Sequence, residues 1–191
     1  MSGLRCEVLV TAAMLAACLS WGADSGLTDR AVQKFNYIHE NGRREHPDSH
    51  PTQLTEEEVN AYLASGKVRL PPGVESLRLV GTPGTIRAHC RVDLDRVRAG
   101  RANSNPLLRL FSGVHDVVVE AQASGSHHQG RVHVNSVAID EVEVPQFVLE
   151  LFVNKYVTPR YPGVGLDSVF ALPDKIETAT VGEHMLTIVQ R

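Results

Sequence analysis

Beyond Gly66, alternation of apolar and polar residues dominates the chain. Ile86, Ala88, Cys90, Val92 and Leu94 alternate with Arg87, His89, Arg91, Asp93 and Asp95. A period of two gives a strand one dry face and one wet face. The run Val74 to Val80 precedes it across Gly81-Thr82-Pro83-Gly84, which predicts a hairpin. Asp116 to Ser124 and Arg131 to Val144 make a second pair around the segment Gly125 to Gly130. Lys175 to Val181 and His184 to Gln190 make a third, across the Gly-X turn Gly182-Glu183. In the second pair the apolar phase slips: Val132 and Val134, then Val137 and Ile139, then Val142 and Val144. A strict period of two cannot slip without an irregularity, so bulges or strong curvature are expected there.

Helical spacing appears in three places. Leu27 to His39 carries Ala31, Val32, Phe35 and Ile38 on one side, with Thr28 placed to cap it. Glu40 to Gln53 is polar, holds Pro47 and Pro51, and reads as a linker. Thr55 and Glu58 form a capping box at the head of a second helix, whose apolar side is Val59, Tyr62 and Leu63. Leu107 to Phe111 predicts a helical turn. The longest apolar helix is predicted over Pro145 to Val157, with Gln146, Glu150 and Asn154 as a narrow polar stripe. Phe147, Val148, Leu149, Leu151, Phe152, Val153, Tyr156 and Val157 fill the remaining circumference. A helix this apolar needs cover on more than one side, from protein layers, a partner or a ligand. The pieces predict an α+β fold: a curled antiparallel sheet of hairpins wrapped around a long apolar helix, with additional helices at the N-terminal end.

The first residues follow a different logic. Arg5 precedes an apolar run from Val8 to Leu19, and small residues then lead into Asp24-Ser25. That is the pattern of a secretory signal over residues 1–23. The run falls short of the roughly 20 apolar residues a membrane span needs. Two cuts fit. Leu15-Ala16-Ala17-Cys18 resembles a lipobox, with Cys18 as the lipidated residue and membrane anchor. An ordinary cut would fall after Gly22 or Ala23. Residues 24–53 then form a helix plus polar linker, and 54–191 one α+β domain. The expected location is the periplasm or outside the cell, with anchoring as a lipoprotein if Cys18 is used.

Charge and composition narrow the function classes. Net charge is -3, with no basic stripe, which argues against nucleic-acid binding. Cys90 has at most a lipidated Cys18 for company after processing, so no internal disulfide framework is expected. His46 and His50 flank Asp48 in a proline-broken stretch, and His127-His128 sit at a turn; neither pair has the held spacing of a metal site. His89 and His133, with Arg87, Arg91, Arg131 and Asn135, fit a wet sheet face or a headgroup-binding rim. Asp93 and Asp95 share one strand face, with nothing near in sequence to raise either pKa. There is no G-x-S-x-G, no phosphate-cradling glycine loop and no H-E-x-x-H. No catalytic residue, metal or cofactor is expected.

Three fragments in order carry a resemblance: Leu54 to Leu63 as a helix head, Val142-Glu143-Val144-Pro145 before the apolar helix, and Leu172-Pro173-Asp174-Lys175-Ile176 before the last hairpin. Over Gln53 to Arg191 the chain resembles the LmeA-type exported phospholipid-binding proteins and the YceB-like lipoproteins of tubular lipid-binding fold. The segment Leu27 to Gln53 has no counterpart in that pattern. The resemblance implies an apolar groove for acyl chains. Independently, aromatic residues make up only 5% of the chain, and its apolar content is mostly aliphatic, as an acyl-chain surface requires. Phe147, Val148, Leu151, Phe152 and Tyr156 are the candidate lipid-binding residues, unless they are ordinary core. The expected function is a non-enzymatic carrier of phospholipid or another acyl lipid. The alternative is an envelope structural or assembly factor whose apolar helix docks on a protein partner.

Overall fold

The computed structural model of the chain describes residues 25–98, 112–159 and 161–191, without the side chains of Arg98 and Tyr156. The expected signal with Cys18, and the expected turn Leu107 to Phe111, lie outside the described residues. The fold is α+β, with one large antiparallel sheet and few helices.

Residues 25–42 form helix α1, which extends two residues before and three residues beyond the predicted Leu27 to His39. Thr28 does not cap it. Its side chain is buried inside the helix and donates Oγ1–H to the Ala61 carbonyl at 3.2 Å, tying α1 to α2 (Glu56–Ala64). The expected capping box is present: Thr55 Oγ1 accepts the Glu58 N–H, and the Glu58 carboxylate accepts the Thr55 N–H. Glu58 is also the buried acceptor for the Lys34 ammonium at 2.6 Å, with Arg30 at 3.4 Å. One carboxylate thus caps α2 and docks α1.

The end of the expected linker is a strand, β1 (Thr52–Thr55). With a single apolar residue, Leu54, it offers no period to read. The three expected hairpins are β2 (Val74–Thr82) with β3 (Thr85–Asp93), β4 (Val114–Ser126) with β5 (Gln129–Ile139), and β8 (Ile176–Gly182) with β9 (Met185–Gln190). Pro83 and Gly84, with Gly84 at φ 72°, make the first turn, as a type II turn requires at its third residue. The third turn is Glu183-His184 and not Gly182-Glu183, because Gly182 already pairs with Met185. β6 (Val142–Glu143) and β7 (Asp167–Ala171) both pair with the outer edge of β5. β7 escaped sequence reading because its apolar residues, Val169 and Phe170, are adjacent and both exposed.

Both phase slips have structural causes. Glu120 pairs with Ser136 and Ala121 with Val134, so Asn135 is the extra residue of a bulge. Val134 and Val137 thereby reach the same face. The second slip is a two-residue turn at Asp140-Glu141, with φ 48° and 69°. Strand order runs β1-β9-β8-β4-β3-β2, and β4 carries β3 and β8 along one edge and β5 along the other. At β2, the free edge is closed by side chains. The Asn60 amide donates to the Leu79 carbonyl and accepts its N–H, both at 2.8 Å, and Glu56 accepts the Gly81 N–H at 3.1 Å.

Two ends of the sheet are packed differently. At one end Ile38 of α1, Leu54, Ile176 and Ile188 form a closed core, joined by Phe35, Val59, Leu172, Ala179 and Leu186. At the other end β3 gives way to a short helix, α3 (Leu94–Arg98). The strand stops at Asp93, so Asp95 does not share its face as the alternation predicts; Asp93 instead caps α3, its Oδ1 accepting the N–H groups of Asp95 and Arg96. Beyond β6 comes α4 (Gln146–Phe152), seven residues of α-helix that widen into a π turn at Val153–Val157. The single helix expected over Pro145 to Val157 is therefore two helical forms in series.

Candidate functional site

Between β3–β5 and α4 lies an apolar cavity of about 350 Å³. Val92, Val117, Val119, Val134, Val137 and Ile139 line it from the sheet, and Leu94 and Val97 from α3. Val148, Leu149, Phe152, Val153 and Val157 line it from α4 and the π turn, and Val144, Val164, Gly165 and Leu166 from the flanking loops. Among the described residues, every one that lines it is apolar. The sheet supplies its share through period two, and the Asn135 bulge keeps Val137 and Ile139 turned inward after Val134. On the helix, lining residues recur four apart, as a turn of 3.6 residues demands. Phe152 and Val157 are five apart, and the Thr158 N–H bonds to the Val153 carbonyl across that widened turn at 2.9 Å. The π turn thus keeps Val157 on the cavity face.

Of the five candidate residues, Val148 and Phe152 line the cavity. Phe147 and Leu151 lie outside it, each 65% exposed. The Tyr156 side chain is outside the described residues. The helical angle explains the split. Gln146, Glu150 and Asn154 form one stripe, Phe147 and Leu151 the next, and the cavity residues the remaining arc. The apolar surface of α4 therefore has two faces, one turned in and one turned out. Leu149, Val153 and the valines of the strands were visible in the sequence as alternating or helical apolar positions, but only the fold shows which of them share a space.

A polar depression adjoins the cavity. Gln146, Glu150 and Asn154 enter it from the helix, with His133, Asn135 and Ser136 of β5, Glu143 of β6 and Asp167 of β7. Val134, Val144, Leu149, Val153, Gly165 and Leu166 line both spaces, so the two are continuous. The segment that carries α4 is pinned near both ends by a histidine–carboxylate pair. Before it, His115 Nδ1 meets Asp140 at 2.6 Å, and the Asp140 carboxylate also accepts the Asp116 N–H. After it, His133 meets Asp167. The hydrogen bond that His115 donates to the Asp140 carboxylate raises the His115 pKa above its ordinary value, and Asp140 is lowered in turn.

Other histidines pair in the same way: His39 with Asp174, His50 with Asp48, His128 with Glu177 and His184 with Glu56. Hydrogen bonds from the His50 backbone and ring hold Asp48 at a pKa of about 2. Among the described residues no three His, Cys, Asp or Glu side chains are grouped to hold a metal ion. Cys90 faces Leu77 and Val117 across the sheet, is half-buried, and its thiol pKa is pushed up by burial. That is the setting of an inert thiol. No described helix is long and apolar enough to cross a membrane. Comparison with protein-family models, with curated proteins and with solved structures returned no match.

Proposed function

We propose that the protein is an exported, non-enzymatic lipid carrier that holds an acyl chain in the cavity between the sheet and α4. On this reading the sheet curls around the apolar wall made by α4 and its π turn, in the manner of the LmeA-type proteins, and phospholipid or another acyl lipid is the cargo. One observation carries it: a space of about 350 Å³ that is lined, among the described residues, by apolar residues alone and opens to solvent on one side. Its size falls at the low end of small-ligand sites, which span about 300–1,000 Å³, and suits one chain better than two. Left without a ligand, such a space exposes apolar side chains to water. Filled, it returns about 0.8 kcal/mol per buried methylene before the costs of association. No specific polar contact is needed to hold such a chain.

Native mass spectrometry of the protein, purified from its host envelope without detergent, tests this. The expected result is a co-purifying lipid on a chain that begins at Cys18 or after Gly22 or Ala23. A chain recovered from the cytoplasm with residues 1–23 still attached would sink the export half of the proposal. A second reading has its own observation in Phe147 and Leu151, exposed side by side on the outer face of α4. They suit docking on a protein partner, the role of an envelope assembly factor. A lipid-free chain that captures such a partner through these two residues would favour it.

A further inference from the structure

The polar depression beside the cavity has a sign. Glu143, Glu150 and Asp167 line it, and among the described residues no lysine or arginine does. Among the described residues His133 is its one cationic candidate, and its Nδ1 is already engaged by Asp167. Glu150 accepts a hydrogen bond from the neutral Gln146 amide at 3.3 Å, and no cation among the described residues that line the depression pairs with it. Because six residues line both spaces, an amphiphile with its tail among the valines must set its head here. A phosphate or carboxylate would then stand against Glu143 and Glu150 without a counter-ion, an arrangement that interfaces avoid. A protonated amine meets two carboxylates and the side-chain carbonyls of Gln146 and Asn154, all acceptors.

We infer that the cargo is a single-chain amphiphile with a cationic, amine-bearing head, selected by Glu143 and Glu150 at the polar end of the apolar cavity. This rests on the lipid-carrier reading and specifies its ligand. Two partly exposed carboxylates each contribute modestly, so together they give a preference of about tenfold.

The test is calorimetric titration of the delipidated protein with dodecylamine, dodecanol and dodecanoate, at neutral pH and low salt, below micelle formation. The three share one tail and differ only in head charge. The expected order is amine tighter than alcohol by about tenfold, with dodecanoate weakest. In the double variant Glu143→Gln/Glu150→Gln the advantage of the amine over the alcohol, and the penalty on dodecanoate, should disappear. Both positions are exposed, so the variant keeps the fold. Equal affinities in the wild type, or a preference for dodecanoate, would overturn the head-group inference and leave the carrier reading standing. An amine preference that survives the double substitution would show that these carboxylates do not select. Failure of all three probes, dodecanol included, would overturn the carrier reading and this inference together.

Discussion

A Cβ built on Gly42 would lie 2.3 Å from the Asp174 carbonyl oxygen and 2.6 Å from its carbon. Backbone fills that space, so nothing flexible can give way. In an open helix, Gly to Ala stabilises by about 1 kcal/mol. Here Gly42→Ala should instead destabilise by about 1–3 kcal/mol, the usual range for overpacking, and a urea unfolding curve decides the sign. Cys90 makes a second residue-scale prediction. Half-buried with a raised thiol pKa, it should react slowly with a thiol reagent in the folded protein and fast in denaturant; equal rates would contradict its placement. Its face was legible, because alternation from Ile86 to Leu94 needs only local spacing. The Thr55–Glu58 box was legible for the same reason. Gly42 was not, and neither was Gln190, buried on β9 and bonded to Asn41, the Ile38 carbonyl and the Asp174 carbonyl. Those contacts join residues far apart in the chain, and no local pattern announces them.

On the proposed lipid-carrier reading, the element that matters most is α4 with its π turn. Its composition showed that it needed cover on more than one side; its register against the sheet was not readable, because nearly the whole circumference is apolar. The Gln146-Glu150-Asn154 stripe suggested a groove face directly opposite it, which would include Leu151. In the structure that stripe borders the polar depression and Leu151 turns outward. Paired substitutions exploit this. Val148→Glu sets a carboxylate against the cavity and should abolish lipid retention. Leu151→Glu, on the exposed face, should change stability by no more than about 0.5 kcal/mol and leave bound lipid unchanged. Unfolding curves and native mass spectra of both variants check this; the reverse pattern would mean that the outer face is the working one. An irregularity near Asn135 was foreseeable from the phase slip, since a strict period of two cannot slip without one. β1 and β7 were not, having too few patterned residues to show a period.

At the scale of the whole molecule, the histidine–carboxylate pairs set the pH response. His50, His115 and His184 have raised pKa values, each chiefly through the hydrogen bond to its carboxylate. Raised values mean the folded state holds these protons more tightly. Their stabilisation is therefore complete below the ordinary value of about 6.5 and is lost as pH rises through the raised ones. Asp48 acts at the other limit: its contribution is present above the ordinary carboxylate value and is lost as pH falls through about 2. The urea midpoint should fall as the solution passes from mildly acidic to mildly alkaline, and His115→Gln should flatten that slope. A midpoint that rises instead would show that these pairs do not hold the fold. The pairing of β1 with β9 has a consequence in time. Thr52 lies opposite Ile188, so the first strand of the sheet waits for the last to be made. Contacts of such long sequence separation fold slowly. The closed core around Leu54 forms only when β9 joins it, and a chain shortened by that strand would leave β1 without its pairing partner and Asn41 without Gln190.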